Sequence, residues 1–328
     1  MEQLLRIHDL YVDYYTLDGA VHAVNGLNLV LRKGEALGLV GETGAGKTTS
    51  AMSIMGLLPK RNSKVVKGAI EYNGYNLLDP KNTAYLKKIQ GKNISMVFQN
   101  PLTSLNPVFT IGEQIAMVYR RHKGMRQNEA MQAAKSALKS VGIAEYRIDD
   151  YPVQFSGGMR QRVGLAAALA CDPDLLIADE PTTALDVTIQ AQVLEIMKAL
   201  QRGRQTSLIM ITHNLGIVNE LCQRVSVMYA GRIIECGNVA DVFNKPLHPY
   251  TVGLLGSLPD INKKTERLTP ILGFVVNPMN LPKGCKFAER CPLCTDRCHE
   301  NEPEEQEVDE GHKVCCFHYD RNEVSVHA

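Results

Sequence analysis

The sequence has almost no net charge: Lys+Arg number 36 against Asp+Glu 35, a formal charge of +1. Without an excess of positive charge there is no electrostatic case for a nucleic-acid partner, which ordinarily meets a clearly basic face. The chain also lacks any apolar run near the ~18–20 residues needed to span a bilayer. Its opening, Met1-Glu2-Gln3-Leu4-Leu5-Arg6, lacks a signal-peptide pattern, and a protein made and kept in the cytosol is expected. No internal repeat is visible. Apolar material is not scarce: 328 residues that are 45% hydrophobic supply a real core and more than one domain. The nine cysteines would be odd as disulfides in a reducing compartment. Six of the nine fall between Cys285 and Cys316, a clustering that points to a metal.

Along the chain, 4–14 and 27–31 alternate apolar and polar residues like half-exposed antiparallel strands. Ala36-Leu37-Gly38-Leu39-Val40 is continuously apolar, as a strand buried on both faces is. A helix is expected from Thr48 to about Met55, and a second buried strand over 94–98. From about 110 to 141 the pattern turns helical and predicts a small helical subdomain. Strands at 175–178 and 207–211, with a helix over 188–201 between them, restore the βα alternation of a parallel sheet. The runs 225–229 and 232–236, joined around Ala230-Gly231, predict a hairpin. Beyond roughly Pro246 this alternation fails, and the acidic run 300–310 is read as a solvated surface loop.

Two phosphate cradles stand out. Gly41-Glu42-Thr43-Gly44-Ala45-Gly46-Lys47-Thr48 matches G-x-x-x-x-G-K-[ST] without a mismatch. Glycines let the backbone close around phosphates, Lys47 reaches the β- and γ-phosphates, and Thr48 offers a hydroxyl to Mg²⁺. The second is Phe155-Ser156-Gly157-Gly158-Met159-Arg160-Gln161-Arg162, where a Ser and two Gly ahead of a helix leave N–H groups and a hydroxyl at the positive end of the helix dipole. One nucleotide hardly fills both loops of one molecule. Asp179 ends the apolar run of Leu175-Leu176-Ile177-Ala178-Asp179-Glu180-Pro181, which puts it at the carboxyl end of a buried strand. There it is expected to hold Mg²⁺ through water.

Cradle, S-G-G loop and D-E-P strand end, in that order, resemble the nucleotide-binding subunit of an ABC transporter. The resemblance implies an α/β ABC-type P-loop ATPase with a RecA-like core, an antiparallel β subdomain and a helical subdomain. It further implies that the Ser156/Gly157/Gly158 loop of one subunit caps ATP held by its partner's cradle, here Gly41, Thr43, Gly44, Ala45, Gly46, Lys47, Thr48 and Thr49. Glu180 takes the position of the general base, Gln99 that of the glutamine touching Mg²⁺, and His213 that of the γ-phosphate histidine. Tyr14 lies where the family stacks an aromatic on adenine, with Tyr11 and Tyr15 as neighbours. Thr183-Ala184-Leu185-Asp186 resembles the inter-subunit loop. Phe155 and Met159 depart from the usual Leu and Gln of the L-S-G-G-Q signature.

S-G-G-M-R-Q-R, His248-Pro249-Tyr250-Thr251 and the cysteine-rich end resemble the first ATPase of dipeptide/oligopeptide importers. That resemblance implies ATP-driven peptide import at the cytoplasmic face of the membrane. The implied partners are a distinct second ATPase, with a homodimer as the alternative in isolation, two permease subunits and, indirectly, an extracytoplasmic peptide-binding protein. The expected division is a nucleotide-binding domain over 1–245, with the helical subdomain at about 100–165, and an irregular Cys-rich extension over 246–328. Cys285-x5-Cys291-x6-Cys298 with one of Cys315/Cys316 supplies four thiolates, enough for Zn²⁺ or a [4Fe–4S] cluster. The family resemblance implies the cluster, with Cys316 as fourth ligand and Cys294 and Cys315 as bystanders. Loss of the cluster is expected to leave ATP binding intact in the short term, the ATP site lying in another domain.

Overall fold

In the computed structural model, which describes residues 2–99, 104–183, 187–204, 206–257 and 270–319, strand β3 (Ala36–Val40) lies mid-sheet in the large sheet. It pairs in parallel with β8 (Ser207–Ile211) and β9 (Arg224–Tyr229), β8 with β7 (Leu175–Asp179), and β7 with β6 (Ile94–Val97). All five residues of β3, β7 and β8 are buried, as expected of strands covered on both faces. Successive side chains serve opposite layers. Leu37, Leu39, Ile177, Ile209 and Ile211 face one core, and Ala36, Val40, Leu176, Leu208 and Met210 the other.

The first core is closed by a second, antiparallel sheet in the order β2-β1-β4-β5, built from β1 (Gln3–Thr16), β2 (Gly19–Arg32), β4 (Ser63–Tyr72) and β5 (Tyr75–Asn76). The hairpin of β1 and β2 is longer than the alternation over 4–14 and 27–31 indicates. Register shifts near Ile7, Leu10 and Val12, with Asp9 at φ 45, break the two-residue period that the eye follows. The second core packs helix Val187–Arg204, Leu215–Leu221 and part of Gly157–Leu169 against the opposite face. A third cluster, including Ile111, Ile115, Ala130, Ala134, Leu138 and Phe155, holds helices Ile111–Lys123 and Gln127–Ser140 together as a helical unit.

The C-terminal part joins the large sheet. β10 (Arg232–Asn238) pairs antiparallel with β9, β12 (His312–Val314) with β10, and β11 (Gln306–Asp309) with β12. The acidic run 300–310, expected as a solvated loop, therefore contains an edge strand. Cations offset part of its charge: Arg232 pairs with Glu302, Lys313 with Glu305 and Lys245 with Asp309. Behind it the Glu235 carboxylate is buried, with Oε1 accepting from the Leu247 amide and bonded to His312 Nε2, and Oε2 accepting from the His248 amide, each at 2.8 Å. His248 in turn caps helix Pro249–Gly256, its Nδ1 accepting from the Tyr250 amide, and full burial pushes its pKa down to about 3, so it stays neutral.

Truncating Glu235 strands three buried donors. Glu235→Ala should cost about 3 kcal/mol in urea unfolding, the size found when one member of a buried charged network is removed. A loss below about 1 kcal/mol would show that this carboxylate is not what fastens β12 and helix Pro249–Gly256 to the sheet.

Candidate functional site

β3 stops at Val40, and the chain turns through residues 41–46 into helix Lys47–Ile54. Only glycine fits two corners of this turn. Gly41 has φ +150, and a Cβ there would lie 2.1 Å from the Met228 carbonyl oxygen; at Gly46, φ +100, it would lie 2.4 Å from the Ala23 carbonyl. Gly44, φ +84, meets nothing within 4 Å, and with Thr43 and Thr48 it is exposed. Ala45 is buried, its carbonyl accepting from the Gly231 amide. Lys47 is buried in the turn and donates to the carbonyls of Gly41 at 2.7 Å and Glu42 at 2.9 Å. Burial lowers its pKa, against the opposing pull of Glu180, Asp179 and Glu42.

Three further strand ends converge on this point. Asp179, at the end of β7, is 2% exposed, and its Oδ1 has no hydrogen-bond partner. Burial raises its pKa, while a hydrogen bond from Thr48 works the other way. An unsatisfied carboxylate oxygen beside a threonine hydroxyl is the donor set a hard cation takes. Glu180 follows at φ +46, a strained backbone for a non-glycine residue. Its Oε2 accepts from Gln99 Nε2 at 3.1 Å and Thr183 Oγ1 at 2.9 Å, and its Oε1 lies 3.4 Å from His213 Nδ1. Gln99, Glu180 and His213, from the ends of β6, β7 and β8, thus form one group at the carboxyl edge of the sheet, where open α/β sheets bind ligands.

Of the three neighbouring tyrosines, Tyr14 is the one beside the cradle, its hydroxyl 3.5 Å from Thr49 Oγ1. Tyr11 lies under Lys67, 4.3 Å from Nζ to ring centroid, and Tyr15 is exposed. The S-G-G loop opens helix Gly157–Leu169. Ser156 is its N-cap and accepts from the Met159 amide at 3.3 Å. A Cβ on Gly158 would lie 2.5 Å from Ile189 Cγ2, so glycine lets this helix approach Val187–Arg204 closely, while Ser156 and Gly157 remain exposed. Phe155 is buried under the Arg147 guanidinium at 4.3 Å, which accounts for an aromatic in place of leucine. Ala184, Leu185 and Asp186 of the expected inter-subunit loop lie outside the described residues.

Cys285, Cys291, Cys298 and Cys316 line one small cavity, together with Phe287, Leu293 and Phe317. Burial pushes the Cys285 and Cys316 thiols up to about 11, with the neighbouring thiols adding to it. Cys315 turns away, its Sγ donating to the Ile233 carbonyl at 3.5 Å, and Cys294 pairs with His299 Nε2 at 3.3 Å. Among the described residues no group of three or more His, Cys, Asp or Glu is drawn close enough to hold a metal ion. The four thiols share a cavity without being gathered around a single point.

Sequence reasoning missed Glu42 and its partners. The Glu42 carboxylate takes both terminal nitrogens of Arg290, at 2.7 and 3.0 Å, and its amide donates to the Tyr250 hydroxyl at 2.8 Å. No local pattern signals a pair 248 residues apart.

Comparison with known proteins agrees with this geometry. The ABC transporter family profile matches residues 24–183, and the oligopeptide/dipeptide transporter C-terminal region matches 234–298. The chain is 48% identical to the oligopeptide transport ATP-binding protein AppD of Bacillus subtilis, covering 98% of each chain. It is 46% identical to OppD of Escherichia coli, covering 96% of this chain and 93% of that one. Among solved structures, the dimeric ATP-binding cassette MJ0796 in a post-hydrolysis state with ADP and Pi superposes with a TM-score of 0.65 at 25% identity, over 72% of this chain and 99% of that one. CbiO1 of Clostridium perfringens does so with a TM-score of 0.62 at 28% identity, over 75% and 92%. The chain belongs to the ATP-binding proteins of ABC transporters, in the branch that carries the oligopeptide/dipeptide transporter C-terminal region.

Proposed function

We propose that this chain is the ATP-hydrolysing motor subunit of a di- or oligopeptide importer, and that each of its nucleotide sites is shared between two subunits. The observation that carries the reading is the pairing of a complete cradle, in which Lys47, Asp179, Glu180, Gln99 and His213 converge, with a second anion loop at Ser156 and Gly157 left exposed. Peptide as cargo rests on the relatives named for oligopeptide and dipeptide transport.

Lys47 exchanges the carbonyls of Gly41 and Glu42 for the β- and γ-phosphates, so its charge is satisfied in both states. Tyr14 stacks on adenine. Thr43, Gly44, Ala45, Gly46 and Thr49 complete the cradle. Thr48, Gln99 and the unpaired Oδ1 of Asp179 would hold Mg²⁺, which would supply charge neutralisation to the β- and γ-phosphates. Glu180 takes the proton of the attacking water, with Gln99 and Thr183 fixing Oε2, and His213 faces the γ-phosphate. Ser156, Gly157 and Gly158 close over the partner's nucleotide with helix N-terminal amides. A distinct second ATPase and two permease subunits complete the machine, a separate extracytoplasmic protein delivers the peptide, and nucleic acid plays no part. Among the described residues no helix is long and apolar enough to cross a membrane, and the chain is assigned peripherally to the cytoplasmic face of the permease. Residues 1–245 are taken as the nucleotide-binding domain, with a helical subdomain at about 100–165, and 246–328 as its extension.

Cys285, Cys291, Cys298 and Cys316 are assigned to a [4Fe–4S] cluster, whose contribution is structural. The reading is supported by their shared cavity and by Cys315 and Cys294 being turned to other partners. Burial holds the Cys285 and Cys316 thiols above their ordinary range, and coordination to a metal would convert them to thiolates.

Glu180→Gln should bind ATP normally and lose ~10²–10⁴-fold in hydrolysis by the assembled transporter, the usual contribution of a general base. Hydrolysis at the normal rate would remove Glu180 from that role. Ser156→Arg should leave ATP binding by the isolated chain unchanged and abolish turnover of the assembly, because the cation blocks the closing interface; loss of binding by the isolated chain would mean that the loop serves its own site. Anaerobically purified protein should be brown and contain about four iron and four acid-labile sulfide per chain. Cys316→Ser should bleach it while Cys315→Ser and Cys294→Ser stay brown. Stoichiometric zinc without sulfide would replace the cluster by a zinc site.

A further inference from the structure

The cradle contains a residue that ought to harm it. Glu42 is the second residue of a loop shaped to receive a triphosphate, and its negative charge reaches Lys47. Nothing about anion binding calls for a carboxylate there. The charge is met by Arg290 in a two-pronged contact, Nη1 to Oε2 at 2.7 Å and Nη2 to Oε1 at 3.0 Å, with the arginine side chain only 5% exposed. Such a fork is the strong geometry for a guanidinium and a carboxylate. Arg290 is itself fixed on every side. Its Nε donates to the Leu272 carbonyl at 3.1 Å, its Nη1 also reaches the Tyr229 hydroxyl at 3.3 Å, and its guanidinium lies 5.7 Å from the Phe287 ring centroid.

Arg290 ends a single 3₁₀ turn, Ala288–Arg290. The turn is tied at its start to the Cys285 carbonyl, which accepts from the Ala288 amide at 3.0 Å. At its end the Cys291 amide donates to the Ala288 carbonyl at 3.2 Å. Both bracketing cysteines face the thiol-lined cavity. A shift of either cysteine backbone therefore displaces the guanidinium, and with it the counter-charge of Glu42.

We propose that Arg290 is a positioning residue for ATP, neutralising Glu42 so that the cradle accepts phosphate, and that through the turn between Cys285 and Cys291 it links nucleotide affinity to the condition of the cysteine pocket. The proposal deepens the ATP-site reading and rests on it. It departs from the expectation that the ATP site is indifferent to the cysteine-rich end.

The test is calorimetric titration of the purified full-length chain with MgATP. Arg290→Gln leaves Glu42 uncompensated and should weaken binding about tenfold, the effect of one unit charge acting at moderate range through a partly screened medium. Glu42→Gln removes the harmful charge and keeps the cation, so binding should tighten about threefold. The double variant, neutral at both positions, should return to within about threefold of wild type. A purely structural arginine predicts no such change of sign and no rescue. Arg290→Lys, which keeps the charge and loses the fork, covers the case in which Arg290→Gln fails to fold: a weakening that Glu42→Gln reverses supports the proposal. Cys291→Ser should weaken ATP binding severalfold in the wild-type background and leave it unaltered in the Arg290→Gln/Glu42→Gln background. Wild-type affinity in Arg290→Gln, or a double variant as weak as Arg290→Gln, overturns the charge argument, and an equal Cys291→Ser effect in both backgrounds overturns the link to the cysteines. Lys47→Ala serves as the control: if it binds ATP normally, the cradle reading itself has failed, whereas a Lys47→Ala protein without binding beside a normal Arg290→Gln sinks only the present proposal.

Discussion

A buried ammonium group sets the terms for the rest of the molecule. Lys47 sits almost out of reach of water at the start of a helix, an electrostatically unfavourable place for a cation. Two carbonyls of its own loop and the carboxylates of Asp179, Glu180 and Glu42 make it tolerable. Those carboxylates arrive only because β3, β7 and β8 run parallel and end at one edge. The parallel order in turn needs apolar layers on both faces, supplied by the antiparallel sheet on one side and the helices on the other. Site and fold are thus two aspects of one arrangement, in which negative and orphaned groups await a polyphosphate and its cation.

The cysteine-rich segment is fastened to this arrangement by three kinds of contact. Tyr229, Tyr250 and Phe287 form an aromatic knot with centroid separations of 4.8 to 5.5 Å, a packing that contributes beyond simple area burial. Glu235 collects two backbone amides and His312 in the sheet interior. Arg290 reaches across to Glu42. A segment with little regular structure of its own borrows the core of the ATPase, and a contact that secures it also touches the phosphate loop.

What could be read from the chain beforehand follows the range of the forces involved. The cradle was legible because Gly41, Gly46 and Lys47 fall within one short stretch and the positive φ of both glycines is a local demand, although the Met228 and Ala23 carbonyls that crowd them come from distant parts of the chain. The strands β3, β7 and β8 were legible because burial on both faces writes an unbroken apolar run. The ladder of β1 and β2 was legible only in pieces, since its bulges shift the side chains from face to face. Strand β4 was not seen at all: most of its side chains are exposed or half-exposed, and Gly68 at φ +109 interrupts it. β11 hid inside an acidic run, because an edge strand with one neighbour needs no apolar pattern, and ion pairs such as Lys245 with Asp309 offset part of the charge of the run.

By itself the sequence determined the nucleotide loop, the buried strands of a parallel sheet and the residue types at their ends, because each of these is encoded in short stretches with strict steric or periodic demands; the order of the strands came from the tertiary structure. It also singled out Cys285, Cys291 and Cys298 by their spacing. The tertiary structure decided which of two adjacent cysteines faces the others: Cys316 lines the cavity and Cys315 lies against the Ile233 carbonyl, an alternation that follows from the pairing of the preceding strand with β10. It decided that Tyr14, rather than Tyr11, stands by Thr49. Above all it decided that Arg290 meets Glu42, since a charge pair between distant segments depends on how two folded surfaces come to rest against each other, and no local propensity records that.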